Sequence, residues 1–244
     1  MSYYLDRFPR HPRAYNHGST CNGWTIKNSD MADYLKDFYL DRDIDFIDRT
    51  VLKLQSEPKP VMIDLLAPED AIFSFYKTFL SNKPKIKALA VGLEHDYIRP
   101  ERKDLIRSIG IEVREGDLNK SKTWNEMQEW LGEDKAHLIM ERGYGGLHFI
   151  PTYIHYYRSA MARLWRMLDP NGGILLLQTP PFGILEKRGV PIKDWLKLLD
   201  DEQIFYQYSE AYISQDKGLP YGVLIIEKNP QVEILPDIVN LKKP

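Results

Sequence analysis

The chain has 244 residues, of which 43% are apolar and 28% charged, and its formal net charge is -2. Such a chain holds one α/β domain with an extension and a sizeable core, and the balance excludes a disordered chain and a generally basic nucleic-acid surface. The single cysteine, Cys21, excludes a disulfide framework or a cysteine-rich metal site, and no apolar run approaches the ~20 residues of a membrane helix.

The opening residues, MSYYLDRFPRHPR, carry charges and prolines where a signal peptide has an apolar core, so a soluble, cytoplasmic protein with no membrane contact is expected. Residues 1–27 form a mildly basic arm, with Arg7, Arg10, Arg13 and Lys27 against Asp6. The plain reading is a loosely packed extension. Docking on a protein partner is the functional alternative, and nucleic acid is not favoured. Asn28-Ser29-Asp30 can cap a helix running to about Leu40. A second helix starts near Asp41 to Asp43, puts Ile44, Ile47, Val51 and Leu54 on one stripe, and stops at Glu57-Pro58-Lys59-Pro60.

From here strands and helices alternate. Strand Val61 to Leu66 passes through the turn Ala67-Pro68-Glu69-Asp70 to helix Ala71 to Leu80. Strand Ile86 to Leu93 precedes helix Arg99 to Ile109, and strand Ile111 to Arg114 precedes helix Thr123 to Leu131. Strand Ala136 to Met140 leads through a glycine-rich loop to the long helix Tyr153 to Leu168, and the turn Asp169-Pro170-Asn171-Gly172-Gly173 opens strand Ile174 to Leu177. After a short helix from Pro191 to Leu199, strands Ile204 to Ser214 and Tyr221 to Glu227 flank a short turn and must be antiparallel. The expected architecture is an α/β three-layer, doubly wound, mostly parallel sheet of seven strands, the last antiparallel, with an N-terminal helical extension. Arm and helices span 1–59, the α/β core 60–228 and a tail 229–244.

In this order, several local features resemble class I S-adenosylmethionine-dependent methyltransferases, over about residues 41 to 228. Asp64 ends the first strand, Glu94 follows the second in AVGLEHD, and Asp117 follows the third in VREGDL, with Leu118 beside it. MLDPNGGILLLQ is similar to the family's fifth strand and the turn before it, and YGVLIIEK to its closing strand. The resemblance implies a methyltransferase-like Rossmann fold and S-adenosylmethionine as cofactor. It implies that Asp64, Leu65 and Leu66, then Glu94 and His95, then Asp117 and Leu118, hold that cofactor, Glu94 at the ribose hydroxyls and Asp117 near the adenine. The family's first motif places glycines two, four and six residues after the acid, and here Leu66, Pro68 and Asp70 stand there. The motif is degenerate: Leu and Asp reach positive φ with difficulty and Pro not at all.

Each acid also has a plainer reading. Glu94 can start a helix at the surface, and Asp117 can form a Gly-Asp turn. Asp64, inside an apolar run, needs a partner, so backbone capping competes with cofactor binding. After the fourth strand, Glu141 or His148 could take a proton from a methyl acceptor and Tyr144 could orient it, although the same residues suit a surface loop. Thr179-Pro180-Pro181-Phe182 is better explained as a rigid strand exit than as the Pro-Pro-aromatic signature of amino-group methyltransferases, which follows the fourth strand. His11, His137 and His155 are too scattered for a metal site. The expected function is methyl transfer from S-adenosylmethionine to an unidentified acceptor. The alternative is a catalytically inactive methyltransferase-like binding or scaffold subunit, docked through the N-terminal region.

Overall fold

The structure, a computed structural model, describes residues 47–65, 69–92, 100–118, 120–141, 154–179, 181–187, 189–211 and 221–238. Short runs, apolar in the five inner strands and mixed in the two outer ones, form its strands: β1 (Val61–Leu65), β2 (Lys87–Gly92), β3 (Ile111–Glu115), β4 (Leu138–Glu141), β5 (Ile174–Thr179), β6 (Tyr206–Ala211) and β7 (Tyr221–Glu227). They make one sheet in the order β3-β2-β1-β4-β5-β7-β6. Strands β1 to β5 run parallel, and β7 runs against both β5 and β6. This is the methyltransferase-like Rossmann sheet that the sequence leads one to expect. Because the chain winds outward from β1 to β3 and then returns to β4 on the other side of β1, the switch point of the sheet lies between β1 and β4.

Alternation along each strand divides the apolar residues between two faces. A π-helical turn (Ile47–Val51), α1 (Leu52–Ser56), α2 (Glu69–Phe79) and α3 (Pro100–Ser108) cover one face, where Val51, Leu54, Ile72, Phe75 and Ile106 pack on Met62, Ala88, Ala90, Leu138 and Met140. On the other face lie α4 (Ser121–Leu131), α5 (Ile154–Met167), α6 (Phe182–Lys187) and α7 (Ile192–Asp201). There Trp124, Leu164, Trp165, Leu185 and Trp195 pack on Ile63, Leu65, Leu89, Ile139 and Leu175. Val232, Leu235 and Ile238, from the segment read as a tail, join this second cluster. Trp165 Nε1 donates to the Val232 carbonyl at 3.2 Å, and Trp195 Nε1 to that of Pro236 at 2.8 Å.

Some boundaries differ from the sequence reading. Helix α2 already includes Glu69 and Asp70, which places two acids at its positive end rather than in a turn. Strand β4 starts at Leu138 because Ala136 makes an isolated bridge with Leu168 instead. Strand β5 continues to Thr179, and the unexpected helix α6 follows Pro181. The basic arm, Cys21, the helix from Asn28 and the turn between β6 and β7 lie outside the described residues.

At the amino edge of the sheet, where helices end and their last carbonyls point outward, lysines close the ends. Lys87 Nζ donates to the Leu131 carbonyl at 2.8 Å and to Asp134 Oδ2 at 2.7 Å. Lys228, 8% exposed, donates to the carbonyls of Trp165 at 2.6 Å and Leu168 at 3.2 Å. Lys53 reaches the carbonyls of Asn171, at 2.6 Å, and Gly172. Burial pushes both Lys53 and Lys228 below the ordinary lysine value. His137 Nδ1 accepts from the Val61 backbone N–H at 3.0 Å, which leaves Nε2 as the proton carrier, 3.4 Å from both Glu57 and Asp169. His137 is therefore a brace that ties β1, β4 and the turn before β5 together.

Candidate functional site

Strands of an α/β sheet deliver their exits to one edge, and ligands settle where the winding reverses. Here that place is the carboxyl edge around β1 and β4. Asp64 is the penultimate residue of β1 and fully buried, with Ala90 and Met140 as its Cα partners on the neighbouring strands. Its place in the β1 alternation, between Ile63 and Leu65 of one cluster, turns it toward the face under α1 to α3. A carboxylate there is paid for only by polar partners, and Asp64 has them.

Glu141 ends β4, is 6% exposed, and stands in register with Leu65 on one side and Leu177 on the other. Following Ile139, it faces the α4 to α7 side, the same side as Leu65. Asp64 and Glu141 thus sit on adjacent strands, about 4.8 Å apart in the sheet, yet point to opposite faces. They cannot act as a carboxylate pair on one group. Glu141 and Leu65 can share a ligand.

Asp117 and Leu118 follow β3 and are fixed by the start of α4. The Asp117 carbonyl accepts from Thr123 Oγ1 and from the Lys120 N–H, both at 2.8 Å. The Leu118 carbonyl accepts from Trp124 Nε1 at 2.8 Å, and the Leu118 side chain is 8% exposed. Gly116 is required by this packing, because a Cβ there would stand 2.5 Å from Thr123 Cγ2. The plain Gly-Asp turn is what the structure shows: the turn is braced, and the carboxylate rides on it. From β3 to β4 there are three strand spacings, roughly 14 Å, so Asp117 and Glu141 could touch only opposite ends of an elongated ligand.

Leu66, Glu94, His95, Tyr144 and His148 lie outside the described residues. Thr179 also belongs to this edge. It is the last residue of β5, 2% exposed, two residues beyond the position that pairs with Glu141. Beyond it Phe182 stacks on Tyr208, centroids 3.5 Å apart and rings within 9° of parallel, and the Phe182 N–H donates to the Tyr208 hydroxyl at 2.8 Å. The stacked Phe182–Tyr208 pair thus stands just beyond the end of β5. No group of His, Cys, Asp or Glu that could hold a metal ion occurs among the described residues, and no helix among them is long and apolar enough to cross a membrane.

No protein-family model matches the chain, and no curated protein matches it. Among solved structures it is similar to a precorrin-6y C5,15-methyltransferase from Geobacter metallireducens, with 14% identity, a TM-score of 0.43, and coverage of 74% of this chain and 86% of that one. It is also similar to a protein from Streptococcus mutans in complex with SAH, with 15% identity, a TM-score of 0.43 and coverage of 74% and 97%. A SAM-dependent methyltransferase from Archaeoglobus fulgidus shares 10% identity, with a TM-score of 0.40 and coverage of 75% and 91%. The fold assignment itself rests on the strand order and pairings described above.

Proposed function

We propose that the chain binds S-adenosylmethionine across the carboxyl ends of β3, β2, β1 and β4 and transfers its methyl group to an acceptor. The observation that carries this reading is the winding reversal between β1 and β4, with a buried Glu141 on one side of it and the braced Asp117-Leu118 turn two strands beyond the other. These residues suit such a cofactor. A carboxylate on a fixed turn accepts hydroxyl or amino donors, and the buried Leu118 beside it offers an apolar surface to a flat ring.

When bound, the cofactor supplies a methyl group on a sulfonium. The chain then has to position the acceptor and receive its proton. Glu141, buried at the end of β4 in register with Leu65 and Leu177, is the group in this proposal that takes the proton, with His148 as the alternative base and Tyr144 as the group that orients the acceptor. Glu94 and Asp117 hold the nucleoside portion, and Asp64 secures the β1 exit from the opposite face.

Titration calorimetry and melting curves with S-adenosylmethionine and its demethylated product test the proposal. A ligand that binds only the native state raises the melting temperature, by an amount equivalent to about 2.7 kcal/mol at a hundredfold excess over Kd. Glu94→Ala and Asp117→Ala should each weaken binding about tenfold or more, at roughly 1.4 kcal/mol per decade. Absence of both heat and melting shift at millimolar cofactor would overturn the proposal and leave a binding or scaffold role.

A further inference from the structure

Among the described residues, β3 is an outermost strand and pairs only with β2. The Ala88 N–H donates to the Gly110 carbonyl at 2.9 Å, so in a parallel ladder that carbonyl and the backbone groups of Glu112 and Arg114 turn toward β2. Those of Ile111, Val113 and Glu115 must then turn outward, and none of them has a hydrogen-bond partner on that side among the described residues. A groove of about 620 Å³ runs along this edge, walled by Ile86, Ile106 and Trp130 and rimmed by Lys59 and Arg107. It belongs to the edge of the sheet, away from the switch point between β1 and β4.

The sequence of β3, Ile-Glu-Val-Arg-Glu, is complementary to itself when reversed. If two copies align antiparallel about Val113, Glu112 of each lies opposite Arg114 of the other. Ile111 lies opposite Glu115, and Val113 meets Val113. The outward backbone groups then coincide with the hydrogen-bonded positions of an antiparallel ladder, with a reciprocal pair at Val113 and at each Ile111 and Glu115. Arg114 Nε already holds Glu112 Oε1 at 2.5 Å within one chain, and Arg114 Nη1 touches the Glu126 carbonyl at 3.3 Å, so the charged pair is preset on the α4 face. On the α3 face, Glu115 of the second copy arrives beside Arg107, an exposed cation on the groove's rim. A one-residue slip would bring Ile111 and Val113 to the charged face and lose every pairing.

We propose that β3 is a homodimer edge, joining two copies through an antiparallel β3–β3 ladder into one continuous sheet. The occupant of the groove is a second copy of this chain, selected by the Glu112–Arg114 exchange across a two-fold axis at Val113.

Analytical ultracentrifugation of the full chain tests this. The wild type should dimerise reversibly. Glu112→Arg and Arg114→Glu should each raise the dissociation constant about tenfold or more, because each sets like charges opposite one another. The double variant that exchanges the two charges should restore dimerisation, and an equimolar mixture of the two single variants should form a heterodimer. Val113→Pro removes an outward donor that β2 does not use, so it should abolish the dimer while the monomer's melting temperature holds. A monomer at every soluble concentration, or a dimer indifferent to these charge exchanges and to Val113→Pro, would overturn the proposal.

Discussion

The two edges of the central sheet are furnished with opposite chemistry. At the amino edge, Lys53, Lys87 and Lys228 each place an ammonium on carbonyls at a helix end or a turn, and His137 accepts the first N–H of β1. At the carboxyl edge stand Asp64, Glu141 and Asp117. Helix dipoles favour this division, since cations suit helix ends and anions suit helix starts. The difference between the edges is in how their polar groups are used. Amino-edge cations are fixed to the backbone by short bonds and hold the layers together, whereas the carboxyl edge keeps buried carboxylates at strand exits, where an α/β sheet meets its ligands.

If that contrast is right, changes at the amino edge should cost stability and changes at the carboxyl edge should cost binding or turnover. The largest effect is expected at Gly173. A Cβ there would lie 2.7 Å from the Asp169 nitrogen, 2.8 Å from the Asp169 oxygen and 2.9 Å from the Ala136 oxygen, all backbone atoms that cannot step aside. Gly173→Ala should therefore cost about 3 kcal/mol, at the upper end of overpacking effects, read as a fall in the urea midpoint with little change in slope.

Next comes Glu141→Gln, which keeps the shape of the side chain and removes its basicity. Methyl transfer should fall about 100-fold, a usual loss for a proton acceptor, while the melting temperature moves little. A large melting shift with unchanged turnover would move Glu141 to the structural side of the comparison. Lys228→Met follows at about 2 kcal/mol, because it strands the carbonyls of Trp165 and Leu168 in a buried site. Burial holds Lys228 below the ordinary lysine value, so the unfolded chain binds more protons between the two values and native stability rises with pH there. The deficit of Lys228→Met relative to wild type should accordingly widen as pH climbs through that window, a trend visible in melts at graded pH.

The positions of Asp64, Asp117 and Glu141 near strand exits were legible because they are local: an acid two or fewer positions from a strand exit shows itself in MIDL or VREGDL. The strand and helix order was legible for the same reason, since hydrophobic period is a local property. The amino-edge caps were not. Lys87, Lys228 and Lys53 stand 44, 63 and 118 residues from carbonyls they bind, and nothing in a lysine's neighbours announces a distant helix end. Helix α6 was hidden differently. Pro180-Pro181 reads as a break, but a proline is also at home at the start of a helix, and the Pro181 carbonyl accepts from Ile184 and Leu185. The side-chain direction of Glu141 was also beyond reach, since its register against Leu65 and Leu177 fixes the face it points to.

The smallest expected effect is at Asp134, where the amino edge reaches solvent. A hydrogen bond from Lys87 holds the Asp134 carboxyl below its ordinary range, against a weaker opposing effect of burial. A carboxylate with a depressed folded value adds stability that is present above its unfolded value and lost as pH falls through the folded one. The side chain is 46% exposed, so the contribution should be well under about 1 kcal/mol. Asp134→Asn should therefore leave the neutral-pH melting temperature almost unchanged and flatten the acid limb of the stability curve slightly. Lys87 keeps its bond to the Leu131 carbonyl in that variant, so the cap survives the loss of the carboxylate. A destabilisation at neutral pH as large as that of Lys228→Met would mean that the exposed ion pair, rather than the lysine-to-carbonyl bond, closes the end of α4.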